Sequence, residues 1–211
     1  MTSILIADDH EMVREGLRTI LDSQSNWHVV AEAEDGKEAI LKAVATTPDI
    51  AVLDYSLPLI NGFEVTRQIR ARLPNIEVLI FTVHDNETLI EEAVKAGARG
   101  YVLKSDAKRD LIAAITSLAS HRPFFTAKFS QALLKSFLMR PGRSCGSALT
   151  NRERSVVQLI AEGYGNKAIA YLLNISVKTV ETHRTAVLRK LGLHSSAAVV
   201  RYAVRNNLVE P

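Results

Sequence analysis

The 211-residue chain holds one cysteine, Cys145, so an intrachain disulfide is excluded and the chain reads as intracellular. No apolar run approaches the roughly 18 residues needed to cross a bilayer, which predicts no membrane span. The opening MTSILIADDHE meets two aspartates too early for a secretory signal. A glycine-rich phosphate loop is missing too. Asp8-Asp9-His10-Glu11 follows the first apolar run, which speaks against a nucleotide-binding enzyme. Acidic residues are absent between positions 121 and 147, where five basic residues stand. On these grounds a cytoplasmic protein is expected.

What charge there is lies unevenly. Residues 1–120 carry 12 Lys+Arg against 19 Asp+Glu, whereas residues 148–211 carry nine basic against four acidic residues. The formal net charge of +3 therefore hides an acidic front and a basic back. That asymmetry suggests a nucleic-acid partner for the C-terminal part alone.

The front alternates short apolar runs with amphipathic stretches. Residues 4–7, 29–31, 50–53, 78–81 and 100–103 read as strands, three of them nearly continuous in hydrophobicity, as strands buried on both faces require. Helical spacing covers 13–24, 36–46, 62–72, 86–96 and 108–119, with Leu17, Ile20 and Leu21 on one face, and Leu111, Ile112 and Ile115 on another. Five such units predict an α/β domain, a five-stranded parallel sheet sandwiched by helices, over residues 1–120. Residues 121–147 form a linker. Phe125, Phe129, Leu133 and Phe137 recur every fourth position and predict a helix over 126–139, stopped by Pro141-Gly142 and followed by a tether containing Cys145. The sequence does not say which domain this helix docks on.

Residues 148–211 are expected to be all-helical. Thr150 and Glu153 have capping-box spacing, and Gly163 closes that first helix. Asn166–Leu173 forms the next. Asn174-Ile175-Ser176 is a tight connection, Ser176 caps a third helix running to about Leu191, and a fourth spans roughly 195–205. Helix, short turn, helix is the arrangement that presents a second helix to the major groove.

The chemistry concentrates at strand ends. Asp8 and Asp9 end the first strand, Asp54 the third, Thr82 the fourth and Lys104 the fifth. Open parallel sheets form their sites outside these carboxyl ends. Three converging carboxylates would repel unless a cation sat among them, and hard oxygen donors suit Mg²⁺. Taken singly, each residue could be a solvated strand end; together they describe a phosphoryl acceptor. Asp54 supplies the attacking carboxylate, Mg²⁺ and Lys104 offset charge on the phosphoryl oxygens, and Thr82 donates a hydrogen bond.

Residues 3–120 resemble the receiver domain of bacterial two-component response regulators. The motifs are Ile6-Ala-Asp-Asp-His10, Val52-Leu-Asp54-Tyr-Ser-Leu-Pro58, Asn61-Gly62, Thr82, Lys95-Ala-Gly-Ala-Arg-Gly-Tyr101 and Lys104. The resemblance implies that Asp54 is the phosphoacceptor and that Asp8 and Asp9 hold Mg²⁺ with help from a backbone carbonyl near Tyr55. It also implies that a histidine kinase supplies the phosphoryl group and that Tyr101 turns as Thr82 moves. Three positions depart from the common pattern: Leu59-Ile60 stands where Gly-Met is frequent, Val83 where a smaller residue is usual, and Ser56 lies two residues past Asp54.

In the back half, the helix after Ile175 mixes hydroxyls and cations on one face, over a stripe of Val177, Val180, Val187, Leu188 and Leu191. Such a face suits phosphate contacts around a few base contacts. Residues 149–205 are similar to the LuxR-type helix-turn-helix domain found in NarL/FixJ-class regulators. The similarity rests on Leu149–Arg154, Leu159–Gly163, Asn166–Ala170, Leu173–Arg184 and Lys190–Leu193. Carried over, Glu181, Thr182 and Thr185 face base edges of double-stranded DNA, while Lys167, Lys178, Thr179, Arg184 and Arg189 contact phosphates. Glu153 looks structural. The family also implies a homodimer on DNA paired through Val199, Val200 and Ala203, although those apolar residues are equally consistent with an intramolecular core.

The expected function is a phosphorylation-controlled DNA-binding transcriptional regulator, gated by domain release or by dimerisation, without turnover of an outside substrate. One rival is a receiver-fold interaction module that acts independently of phosphorylation, which would be expected to lack the acceptor or the lysine. A second is a Mg²⁺-dependent phosphatase, for which neither a product-releasing acid nor a substrate cap is evident.

Overall fold

A computed structural model describes residues 1–85, 87–106, 108–127, 129–131, 149–173, 175–206 and 208–209. The chain divides into two compact units, Met1–Pro141 and Gly142–Pro211.

In the first unit the apolar runs become strands and the amphipathic stretches become helices. In chain order these are β1 (Thr2–Ala7), α1 (Glu11–Asp22), β2 (Trp27–Ala33), α2 (Gly36–Thr46), β3 (Ile50–Leu53), α3 (Gly62–Arg72), β4 (Glu77–Thr82), α4 (Glu87–Ala96), β5 (Gly100–Leu103), α5 (Lys108–Ala119) and β6 (Phe124–Phe125). The sheet is parallel throughout, in the order β2-β1-β3-β4-β5-β6. It has six strands where the sequence predicts five. The sixth is two residues long, too short to show any periodicity, and pairs Gly100 with Phe124 and Tyr101 with Phe125. Its physical role is to hydrogen-bond the otherwise bare edge of β5.

Period-two alternation divides the sheet's side chains between two layers. Ile4, Ile6, Ile50, Val52, Leu79, Phe81 and Val102 meet Leu17 and Leu21 of α1 and Leu111, Ile115 and Leu118 of α5 in one buried cluster. Leu5, Ala51, Leu53, Val78 and Ile80 are buried on the other face. The order of winding reverses between β1 and β3, with β2 added on one side and β4 to β6 on the other, which opens a crevice beyond their carboxyl ends.

The linker helix expected over 126–139 is seen at its start, where the Ser130 N–H donates to the Thr126 carbonyl at 2.9 Å. Phe129 is buried with its ring 5.0 Å from that of Tyr101, so the described start of this segment packs on the sheet. Leu133, Phe137, the Pro141-Gly142 stop and the tether with Cys145 lie outside the described residues, as does Asn174.

The second unit consists of α6 (Asn151–Ala161), α7 (Asn166–Leu172), α8 (Val177–Leu191) and α9 (Ser196–Arg205). Thr150 and Glu153 form the expected capping box, and Ser176 and Ser195 cap α8 and α9 by accepting from Thr179 N–H and Ala198 N–H. Gly192 takes φ 63 as it ends α8, a left-handed conformation that glycine adopts without penalty. Val156, Val157, Leu159, Ile169, Val180, Val187, Val199 and Ala203 are buried. Val177, expected in the buried stripe, is instead exposed at the first position of α8. The expected dimer face also needs correction. Val199 and Ala203 are 2% and 0% exposed, because α9 turns that stripe onto α6 inside its own domain. Of the three residues, Val200 alone remains partly open.

Candidate functional site

The crevice is built from chain ends that the sheet brings together. Asp8 follows β1 and Asp54 follows β3, and the Asp54 N–H donates to the Ala7 carbonyl at 2.8 Å, so the two aspartates leave the sheet side by side. Lys104 follows β5 and is fixed there by its own N–H, which donates to the Thr82 carbonyl at 2.8 Å. Its ammonium lies 2.7 Å from Asp8 Oδ2 and 3.1 Å from Asp54 Oδ2. Asp8, Asp54 and Thr82 are buried, at 1%, 3% and 0% exposure.

These charges act strongly on one another. Burial pushes the Asp54 carboxyl above the usual carboxylate range, and the charge of Asp8 adds to this while Lys104 opposes it. Burial works against the Lys104 ammonium, but Asp54 and Asp8 outweigh it and raise its pKa. Asp54 Oδ1 accepts the Tyr55 N–H at 2.7 Å, which turns Oδ2 toward the lysine.

Asp9 stands at the mouth of the crevice, partly exposed, with its Oδ1 3.0 Å from His10 Nδ1. Ligand atoms of Asp8, Asp9 and His10 all lie within 4.8 Å of one another. Asp8 Oδ2 is buried and faces the Lys104 ammonium at 2.7 Å, and a carboxylate oxygen with one such partner keeps lone-pair capacity for a cation. The donor set fits a hard divalent cation. The Tyr55 carbonyl accepts the Gly62 N–H at 3.0 Å and retains a second lone pair.

The remaining motif residues now have physical roles. A Cβ on Gly62 would sit 2.1 Å from the Asp54 carbonyl oxygen, so glycine is required for the approach of α3 to the end of β3. Asn61 caps that helix by accepting from the Glu64 N–H. Leu59 has φ 65, the left-handed region that explains why glycine is frequent at this position. Val83, where a smaller residue is usual, is 62% exposed. Ser56 Oγ lies 2.8 Å from His84 Nε2.

Tyr101 is fully buried. Its hydroxyl donates to the His84 carbonyl at 2.7 Å, and the His84 N–H donates to Thr82 Oγ1 at 3.3 Å. Burial, then neighbouring Tyr55, Asp85 and Asp54, push its phenol above the ordinary value, so it remains a donor.

One residue of this site escaped sequence reasoning. Arg14 is 7% exposed and donates to the Asp8 carbonyl at 2.8 Å and to Glu34 at 2.9 Å, holding the end of β1 from behind. Its spacing with Leu17 and Leu21, three and seven residues on, was the available signal that it lies on the buried face.

In the second unit, Lys178, Glu181, Thr182, Thr185 and Arg189 line one open groove along α8. Lys167 is exposed on α7 and Thr179 is partly covered at the start of α8. Arg184 differs from these, since its guanidinium donates to Asn166 Oδ1 and Ser196 Oγ, both at 3.0 Å, and so ties α8 to its neighbours. Glu153 is structural, as expected: besides its capping role it accepts from Lys190 Nζ at 2.7 Å.

Comparison with known proteins agrees with both halves. Residues 4–116 match the response regulator receiver domain, and residues 147–203 match the bacterial regulatory proteins of the luxR family. The chain is 36% identical over 214 residues to the oxygen regulatory protein NreC of Staphylococcus carnosus, covering 98% of this chain and 99% of that protein. A LuxR-family two-component response regulator from Aurantimonas sp. is 37% identical, with a TM-score of 0.62 over 65% of this chain and 99% of that one. RcsB from Salmonella enterica serovar Typhimurium, solved bound to promoter rprA with the phosphomimetic BeF₃⁻, is 26% identical, with a TM-score of 0.68 over 96% of this chain and 98% of that one. With matches spanning both units, the chain belongs to the response-regulator family, in its NarL/FixJ class of receiver joined to a LuxR-type helix-turn-helix domain.

Proposed function

We propose that this protein is a DNA-binding transcription regulator switched by phosphorylation of Asp54. The observation that carries the reading is Lys104 Nζ bridging Asp8 and Asp54 at the carboxyl ends of the sheet. A histidine kinase is the phosphoryl source. Asp54 Oδ2 attacks phosphorus, the bond from phosphorus to the histidine nitrogen breaks, and an acyl phosphate forms. Asp8, Asp9, Asp54 and the Tyr55 carbonyl would hold Mg²⁺, which would supply positive charge to the phosphoryl oxygens. Lys104 pairs with one of those oxygens, and the Thr82 hydroxyl turns to donate to another. The new dianion is a local electrostatic change, and Thr82 and Tyr101 carry it outward.

The output is made by the basic second unit. Glu181, Thr182 and Thr185 are placed for base edges, with Lys167, Lys178, Thr179 and Arg189 for phosphates. Arg184 acts first as a helix tie. Phosphorylation shifts domain release or homodimerisation, and the dimer engages paired half-sites on double-stranded DNA in the cytoplasm. Hydrolysis of the acyl phosphate resets the switch, and the protein turns over no outside substrate.

The test compares wild type with Asp54→Ala in Mg²⁺ and a small phosphoryl donor, following intact mass, oligomeric state and duplex affinity at one fixed salt concentration. Wild type alone gains a phosphoryl mass, dimerises further and binds DNA more tightly. No mass gain in wild type overturns the switch. Gain without change in assembly or affinity favours an interaction module that works without phosphorylation.

A further inference from the structure

We propose that the segment leaving α5 is latched to the receiver through Phe129 and Tyr101, and that phosphorylation of Asp54 opens this latch. The proposal rests on the acceptor reading above and deepens it by naming the route from the acceptor to the linker.

The segment is held by several contacts of its own. His121 lies 2.9 Å from Glu77, and its carbonyl accepts from Arg99 at 2.9 Å. The Phe124 N–H donates to the Arg99 carbonyl at 2.9 Å, and β6 lies along β5. Phe129 then comes to rest with 1% of its surface exposed, its ring centroid 5.0 Å from that of Tyr101 and inclined at 78°. Edge-to-face pairs of this geometry are favourable beyond the area they bury. Tyr101 thus has one edge on the linker and its hydroxyl on the loop that follows the acceptor's neighbour, Thr82.

The chain of contacts is short and each link is polar or close-packed. Thr82 Oγ1 accepts from the His84 N–H, the His84 carbonyl accepts from Tyr101, and the Tyr101 ring packs on Phe129. The link from Thr82 to His84, at 3.3 Å, is the long one and the first to yield. When Thr82 turns its hydroxyl to a phosphoryl group, the His84 N–H loses that acceptor and the backbone there shifts about the ring, which stays on Ser56 at 2.8 Å. Tyr101 is fully buried, so its hydroxyl follows its acceptor to avoid being left unpaired, and the ring moves against Phe129. Phe129 then loses its seat, and the segment leading to the DNA-binding domain is let go.

Amide hydrogen exchange on the full chain tests this, with Mg²⁺ and beryllofluoride as the phosphoryl mimic and fluorine NMR reporting its occupancy. In wild type the amides of Phe124 and Ser130 exchange slowly, and at least fivefold faster once the mimic is bound. Tyr101→Phe keeps the ring and cuts the link to His84, so both amides stay slow and change less than twofold. Phe129→Ala exchanges fast with or without the mimic, while the β1 amides stay slow and show that the fold persists. Bound mimic with unchanged or slower exchange at Phe124 and Ser130 in wild type overturns the latch alone. Failure of the mimic to bind overturns the acceptor reading and the latch with it.

Discussion

In the receiver the functional charges are buried: the side chains of Asp8, Asp54 and Lys104 are 1%, 4% and 12% exposed. On α8 the arrangement is reversed, and Lys178, Glu181, Thr182, Thr185 and Arg189 all stand open to solvent. Buried charges constrain one another strongly, so adding one group changes every neighbour's balance. Exposed charges are screened and nearly independent, and their effect on a polyanion is a sum of modest contributions. One unit is therefore built to respond to a single covalent event, and the other to add up many weak contacts.

Substitutions that treat the two units alike should expose this contrast. Lys104→Met leaves two buried carboxylates without their counter-charge and should cost about 3 kcal/mol at neutral pH in urea unfolding. The pH dependence has a definite sign. Asp54 already has a raised folded pKa, and losing Lys104 raises it further. The folded variant therefore favours the protonated acid, its stability is greatest below the unfolded pKa, and it is lost as pH rises through the folded one. A variant as stable as wild type at pH 7 would remove the coupled-charge description.

Glu153 is the exception that sharpens the comparison, a buried acid in the DNA-binding unit. Burial would raise its pKa, but hydrogen bonds from Lys190 and Thr150 outweigh this and lower it. Its contribution is present above the unfolded value near 4.5 and is lost as pH falls through the lower folded value. Glu153→Gln should cost about 1.5 kcal/mol at neutral pH, and the loss should shrink in acid, as read from the thermal transition of the C-terminal unit.

Arg189→Ala on the open face should weaken duplex binding about fivefold for every sequence and reduce the salt slope by about one, with stability changed by less than about 0.5 kcal/mol. A sequence-dependent loss in binding assays would move Arg189 from phosphate to base contact. The smallest effect is expected at Leu59. Glycine relieves the left-handed strain but loosens the unfolded chain, so Leu59→Gly should gain about 0.5 kcal/mol in urea unfolding. Destabilisation instead would mean that the half-buried leucine side chain contributes more than its backbone costs.

Much of this was readable from residues because the receiver separates its signals cleanly. Strands buried on both faces leave continuous apolar runs, and polar groups at their carboxyl ends must converge when the strands are parallel. The convergence of Asp8, Asp54, Thr82 and Lys104 is found that way. Reading failed where one pattern serves two physical ends. The Val199 and Ala203 stripe looks the same whether it meets a second copy or α6, and burial decides for α6. Arg14 shares the buried-face spacing of Leu17 and Leu21, but its partner, the Asp8 carbonyl, is visible only in the fold. Phe125 and Phe129 share a spacing of four that suggests one helical face, yet Phe125 lies in a strand and Phe129 packs on Tyr101.

The two-residue β6 bears on how the receiver would behave if severed from the rest. Cutting the chain at residue 120 would strip the cover from β5 and leave the carbonyl of Arg99, now satisfied by Phe124, without its donor. A naked margin of parallel sheet invites a neighbouring molecule to extend it, so such a fragment would clump where one ending beyond Phe129 stays dispersed.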